Sequence, residues 1–319
     1  MKENDHARRV GAAAILFALV LRLWSGGVPE ILMPTKTEYE PTEKTGRTVR
    51  FSSSMQVFSP KFVETPPLSD PEPAQLLPPR FTDAERIELY YAAAVSPDIP
   101  ALLEKKLEWQ LYGEAPKVLI LHTHGTESYT KQGESYTETS AWRTTDEDYN
   151  MLSIGSYVGA LLEEAGIPTV QDRELHDYPS YNGSYVDARK SIRELLEAYP
   201  SIELILDLHR DASGGTGGQL RTQATVRGQP SAQLMVVVGT NQKHYEENLA
   251  LGLKLHSQLE VQAPGIMRPL QLRNSRFNQD LCPGALIIEV GAAGNTHAEA
   301  ITAAGELARA VIALAEGTR

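Results

Sequence analysis

From Lys117 onward, apolar and polar positions fall into a regular alternation of short apolar runs and longer amphipathic stretches. Val118–Leu121 is a four-residue apolar run that leads straight into His122-Thr-His-Gly-Thr-Glu-Ser-Tyr129. Such a run reads as a buried strand that delivers polar side chains at its end. Residues 150–165 place Leu152, Ile154, Val158, Leu161 and Leu162 on one helical face, and Gly166 stands at the C-cap position. A strand over 167–170, a helix over 186–199 and a near-continuous apolar strand over 202–208 follow, the last running into His209-Arg210-Asp211. Residues 219–226 and 232–238 read as a hairpin with its turn at Arg227–Pro230. A helix over 245–259, a last strand over 285–288 running into Glu289-Val-Gly291, and an Ala-rich helix over 297–316 complete the chain. Strands alternating with helices predict an α/β fold, with a mainly parallel mixed sheet and helices on both faces.

The region before Lys117 breaks this rhythm. Val10–Leu21 is an apolar run flanked by Arg8, Arg9 and Arg22, with Trp24 placed for a membrane interface. It is shorter than the about 20 apolar residues of a typical span. A cleaved signal peptide has the same length, but no small-residue cleavage site follows. The expectation is an uncleaved N-terminal membrane anchor over 1–24 with the remainder outside. Residues 25–80 carry ten of the 20 prolines and no sustained period, as a partly extended linker does. A weak strand signal lies near Val49–Phe51. Thr82-Asp-Ala-Glu85 has capping-box form, so 81–116 is expected as a short helical segment with one helix to about Ala94 and a second to about Leu111. The expected organisation is therefore anchor 1–24, linker 25–80, helical subdomain 81–116 and catalytic domain 117–319.

Composition narrows the chemistry. A net charge of −11 over 319 residues argues against nucleic acid as a partner. The single Cys282 excludes an intramolecular disulfide and any cysteine-based zinc cluster, and it reads as structural. A metal would have to use His, Asp and Glu. There is no G-x-S-x-G elbow, no Walker loop and no G-x-G-x-x-G following a strand.

Three expected strands end on ionisable groups: His124 with Glu127, His209, and Glu289. If those strands are neighbours, the groups meet at one edge. Two imidazoles and one carboxylate form a common zinc set, and the remaining carboxylate, Glu289, is placed to move the proton of an attacking water. His122 is open between a ligand, a donor behind the ligands and a packed residue. Asp146, Glu147 and Asp148 precede a helix and read first as capping residues. His176 is expected as a substrate contact, and His6, His244 and His256 as surface residues.

Several further stretches carry a resemblance: Arg143-Thr-Thr-Asp146 with Tyr149-Asn150, His176–Tyr185, Asp207–Ala212, Val237–Asn241, Arg276–Gln279, Ile288–Gly291 and Gly294-Asn-Thr296. Together with His122–Tyr129 they closely resemble the stage II sporulation protein P family of spore-forming bacteria, a branch of the zinc-dependent N-acetylmuramoyl-L-alanine amidases, over about residues 117–319. The resemblance implies an amidase-like fold and a peptidoglycan hydrolase that removes stem peptides from glycan, with members also described as cutting peptide cross-links. It implies work during forespore engulfment at the mother-cell membrane, with stage II sporulation proteins D and M as partners. It implies zinc held by His124 and His209, with Glu289 as general base. The wider family takes its middle ligand from the start of the following helix, a departure here. Glu127 is expected in that role, with Asp146 in reserve. Tyr178, Tyr181, Tyr185, Arg210, Arg276 and Asn278 are expected to line the sugar and peptide groove. Two other readings share the residues: a zinc carboxypeptidase or endopeptidase acting on stem peptides, and a non-catalytic wall-binding scaffold.

Overall fold

The computed structural model describes residue 87 and residues 95–318, apart from 132, 134, 135, 141 and 213–218, together with four strand segments upstream. The expected anchor, nearly all of the proline-rich linker, the capping box at 82–85, the turn at 214–218 and His6 lie outside the described residues. Among the described residues, no helix is long and apolar enough to cross a membrane.

The chain divides into two compact units. In the first, β1 (Leu32–Met33) pairs antiparallel with β3 (Gln56–Val57). The second unit, Lys36–Ser54 with Leu76–Arg319, is built on an eight-stranded sheet. Its strands are β2 (Thr48–Arg50), β4 (Leu89–Ala92), β5 (Val118–Leu121), β6 (Thr169–Asp172), β7 (Leu204–Asp211), β10 (Leu234–Gly239), β11 (Leu270–Arg273) and β12 (Ala285–Ala292). They lie in the order β2-β6-β5-β7-β12-β10-β11-β4. The β6-β5-β7-β12 pairings are parallel, β12–β10 is antiparallel, and β10-β11-β4 is parallel again. The expected mainly parallel mixed sheet is thus observed. The short ribbon β8 (Ala224–Val226) and β9 (Gln229–Ser231) stands apart from it.

Helices cover the sheet unequally. The helices are α1 (Ile99–Glu104), α2 (Met151–Glu164), α3 (Ser184–Ala198), α4 (Tyr245–Gln262) and α5 (His297–Glu316). Helices α2, α4 and α5 pack as a rear layer, where Gly252 of α4 approaches Val236, Val238 and Leu286 closely. Helix α3 lies in front, and Ala188, Ile192 and Leu195 pack on Leu119, Leu121 and Ile205. This explains the near-continuous apolar runs: the strands bury residues on both faces. Two of the long helices start from capping side chains. Asn150 caps α2 through Leu152 N–H, and Thr296 with Glu299 forms a complete capping box on α5.

Three expectations are corrected. The helix expected to reach Ala94 is overturned by β4, which pairs with β11, so part of the 81–116 segment is an edge of the main sheet. The second helix ends at Glu104, and Lys105 already has extended backbone. The hairpin expected between 219–226 and 232–238 is instead the small β8–β9 ribbon; β10 leaves it to pair with β12. The β11 strand had no sequence signal, because Pro269 precedes it and only two of its four residues are fully buried.

Candidate metal centre

Strand register places the functional side chains on one face. Cα partners run Ile287 to Asp207 and Glu289 to His209 across β7–β12, and Met235 to Glu289 across β10–β12. Directly opposed residues share a face, so Asp207, His209, Ile287, Glu289, Met235 and Val237 all point forward. Their neighbours Leu206, Leu208, Ile288 and Val236 point to the rear layer and are fully buried or nearly so.

His124 and Glu127 come from the turn that leaves β5. The chain bends there, so His122 and His124 do not share a face as an extended chain would require. His122 is buried toward α2, 3.2 Å from the Leu208 carbonyl through Nδ1 and 2.9 Å from Gln171 Nε2 through Nε2. Both ring nitrogens are engaged by these core groups and lie outside the His–Glu–His group, so it is a packed residue and not a ligand, and burial pushes its pKa down to about 3. His124, Glu127 and His209 converge, with one ligand atom from each lying within 4.8 Å of the others. His124 Nδ1 lies 3.5 Å from Glu127 Oε1, and His209 Nδ1 lies 3.6 Å from Glu127 Oε2. The rings meet edge to face, with centroids 4.9 Å apart.

Each imidazole is held by its other nitrogen. His124 Nε2 is 3.1 Å from the Ser184 hydroxyl at the start of α3, and His209 Nε2 is 3.0 Å from Asp207 Oδ1. Thr123 donates its backbone N–H and its hydroxyl to the Asp207 carboxylate, at 2.8 and 2.7 Å. Glu127 accepts the Arg210 N–H at 3.1 Å and a contact from Arg143 Nη2 at 3.3 Å. Burial alone would raise the Glu127 pKa, but Arg210, His124 and His209 outweigh it and hold it well below the usual carboxylate range. Burial would lower His209, and Asp207 with Glu127 instead raise it well above the usual imidazole value. Two inward-facing imidazole nitrogens and one ionised carboxylate, each fixed by an outer partner, fit a divalent zinc-type ion with an open position.

Glu289 stands beside this group on β12. Its Oε2 is shut away from solvent with no hydrogen-bonding partner among the described residues. Desolvation, with help from Glu127 and Asp211, pushes its pKa up to about 8 against the pull of His209 and Arg210.

The expected substrate residues separate into two kinds. Tyr181 is 53% exposed, stacks on His124 at 4.5 Å between centroids, and has the Arg143 guanidinium 4.7 Å from its ring. Tyr178 is exposed beside it in sequence, and Arg276 is exposed and 3.6 Å from Asp280. Arg210 is buried, and its guanidinium donates to the Ser128 and Trp142 carbonyls, so it positions Glu127 and the loop instead of facing a groove. Asn278 is also buried, bonding the Tyr185 carbonyl at 2.8 Å and Arg189 at 3.2 Å. His176 is buried against Asp172 at 3.0 Å, which corrects its expected substrate contact, and His256 is buried rather than on the surface. Asp146 holds the turn before α2 by accepting the Asp148 N–H and is outside the His–Glu–His group. Sequence reasoning missed Asp207, Arg143 and Asp177. Asp177 takes Thr126 N–H and hydroxyl at 3.1 and 2.6 Å and Arg143 at 2.5 Å, tying the loop after β6 to the ligand turn.

Comparison with known sequences follows the same residues. The sequence model of stage II sporulation protein P (SpoIIP) matches residues 63–312. The chain belongs to the stage II sporulation protein P family. Stage II sporulation protein P of Bacillus subtilis (strain 168) is 30% identical over 210 residues, covering 62% of this chain and 51% of that protein. The match thus spans about half the length of that family member. Solved structures similar to this family member include the N-acetylmuramyl-L-alanine amidase Ami1 of Mycobacterium smegmatis, at 15% identity over 65% of this chain and 99% of that one, TM-score 0.39. The N-acetylmuramoyl-L-alanine amidase AmiC2 of Nostoc punctiforme is at 15% identity over 65% and 97%, TM-score 0.36. Likeness this distant assigns no activity to the chain.

Proposed function

We propose that the unit built on the eight-stranded sheet is a zinc-dependent N-acetylmuramoyl-L-alanine amidase that removes stem peptides from peptidoglycan. The observation that carries this reading is the convergence of His124, Glu127 and His209 beside the buried, unpartnered carboxylate of Glu289. A zinc ion held by the first three would polarise the scissile carbonyl and acidify a water at the open position. Glu289 accepts the proton of the attacking water and returns it to the departing amide nitrogen. Its desolvated setting, with a pKa near 8, keeps it close to the pH at which a group can both take and give a proton; a nearby cation would lower it further into that range. Arg210 and Arg143 keep Glu127 ionised, and Asp207 orients His209. Tyr181, held between His124 and Arg143 with an open face, offers a flat surface for a sugar ring.

Membership of the stage II sporulation protein P family supports a role in sporulation. The protein is proposed to act in forespore engulfment, anchored through its N-terminal segment with the catalytic domain outside the cytoplasm, together with stage II sporulation proteins D and M. The test is zinc content plus mass-spectrometric analysis of digested wall. Stem peptides with a free alanine amino terminus, and a fall of about 10²–10⁴-fold in their release with Glu289→Gln, are expected. Release of single terminal residues would replace this reading with a carboxypeptidase, and cleaved cross-links alone with an endopeptidase. Absence of bound zinc with unchanged digestion by the variant would defeat the mechanism.

A further inference from the structure

The front face of the sheet is closed by α3 over β5 and β7, but beyond β12 it opens into a cavity of about 470 Å³. That volume lies within the range of small-ligand sites. Met235, Val237 and Ile287 make an apolar floor, and the rings of Tyr185 and Phe277 form one wall. Glu289 closes the end nearest the metal ligands, while Gln271 and the exposed Arg273 lie on β11 at the far side. None of the three metal ligands lines the cavity.

Two features mark it as a built site. The first is the loop that forms its wall, which is tied down on both flanks. Arg189 of α3 pairs with Asp280 through two bonds of 2.7 and 2.6 Å. Gln279 bonds the Val237 carbonyl at 2.9 Å and the Gly239 N–H at 2.7 Å. Gly239 is needed there, since a Cβ would lie 2.4 Å from the Ser275 carbonyl oxygen. The second feature is a pair of unpartnered acceptors. Gln271 Oε1 and Glu289 Oε2 are both buried without a hydrogen-bonding partner among the described residues. Leaving such atoms unmatched is costly, and a ligand carrying N–H groups would satisfy them.

The direction of the reaction says which ligand. Glu289 gives its proton to the departing nitrogen, so the amine product leaves on the Glu289 side. In an amidase that product is the stem peptide. Resting on the amidase reading above, we propose that this cavity is the subsite for the peptide side of the scissile amide, with Arg273 at its rim pairing with a stem-peptide carboxylate. The apolar floor takes the alanine methyl group, Gln271 Oε1 takes a peptide N–H, and Glu289 faces the departing nitrogen. The guanidinium supplies the planar fork that a carboxylate matches.

The test is calorimetric binding of L-alanyl-γ-D-glutamyl-L-lysine amide, whose only carboxylate is that of the D-glutamyl residue. Its carboxamide counterpart serves as control. The full zinc-loaded chain should prefer the acid over the carboxamide by at least tenfold. Arg273→Glu should abolish the preference and raise KM for wall fragments while leaving kcat and zinc content in place. Equal binding of the two peptides by the unaltered chain, or an undiminished preference in the variant, would overturn the subsite. Release of free stem peptides from wall is measured separately. Its absence alongside intact peptide discrimination would sink the amidase reading while leaving a peptide site; its presence without discrimination would sink the subsite alone.

Discussion

Each imidazole of the metal centre is fixed through the nitrogen it does not offer, and for His209 that partner is a carboxylate, Asp207. Asp207 has two opposing effects. It orients the ring and makes it a better donor to a metal, and it also stabilises the protonated ring that competes with the metal. Asp207 and Glu127 raise the His209 pKa against the effect of burial, so in the metal-free protein the ring holds its proton more tightly than a free imidazole does. Zinc must then expel a proton, and its affinity falls as the pH drops below that pKa. Asp207→Asn should weaken zinc binding by about 10–100-fold at pH 8, where proton competition is least. The deficit should shrink at pH 6, because the variant's His209 holds its proton less tightly. Chelator competition at the two pH values checks this, and an equal or larger deficit at pH 6 would contradict it. His124, Glu127, His209 and Glu289 were legible in the sequence because each follows an apolar run that could only be a buried strand. Asp207 was hidden because it sits inside such a run, and only the register of β5 against β7 brings Thr123 to it. His122 misled for the converse reason: alternation predicts its face only while the chain stays extended, and the chain turns at the very next residues.

At the scale of elements, α2 shows how a helix is shaped by what lies beneath it. Its Gly155 costs helix stability by propensity, and replacing it with Ala would gain about 1 kcal/mol in an exposed helix. Here a Cβ would sit 2.4 Å from His122 Nε2 and 2.5 Å from Gln171 Nε2. Those two side chains are bonded to each other and fully buried, so neither can swing aside. Overpacking of this kind costs about 1–3 kcal/mol, and breaking the His122–Gln171 bond adds to it. Gly155→Ala should therefore destabilise the protein by about 1–2 kcal/mol net, read as a lower midpoint in urea with an unchanged slope. A midpoint at or above that of the unaltered protein would show that the His122 pocket yields. Helices α2, α3, α4 and α5 were readable from the sequence within a few residues, since long amphipathic stretches with capping residues are a local signal. The strands near the antiparallel join were not. β10 follows the mostly polar β8–β9 ribbon after two residues, and its pairing is decided by β12, some fifty residues later in the chain.

For the molecule as a whole, the apparent start of the catalytic domain at Lys117 misplaces an edge. The parallel β11–β4 pairing, with Leu270 opposite Leu89 and Leu272 opposite Tyr91, puts a strand from before that point at the end of the sheet. Helix α1 follows it and packs on α4, where Lys254 donates to the Leu103 carbonyl. The family match also begins before β4, at residue 63. A chain beginning at Lys117 would lose β4 and α1 together, and β2, which pairs with β6 at the opposite edge of the sheet. It would uncover the backbone groups of β11 along a flat edge, which is a template for pairing with other chains. It would also bare the face of α4 that α1 covers, and leave the Lys254 ammonium without its carbonyl in a part-buried setting. The site itself should survive assembly, since His124, Glu127, His209 and Glu289 come from β5 and the turn after it, β7 and β12, each at least two strands in from either lost edge. The expected outcome for residues 117–319 is zinc binding at one ion per chain with a lower Tm and aggregation that grows with protein concentration. Residues 36–319, which retain β2 and β4, should keep the Tm of the full chain within about 2–4 °C, the shift that 1 kcal/mol produces at this size. Light scattering and thermal melts of the two chains at several concentrations decide the matter: equal Tm and equal solubility would mean that β2 and β4 add nothing to the sheet and that the domain does begin at Lys117.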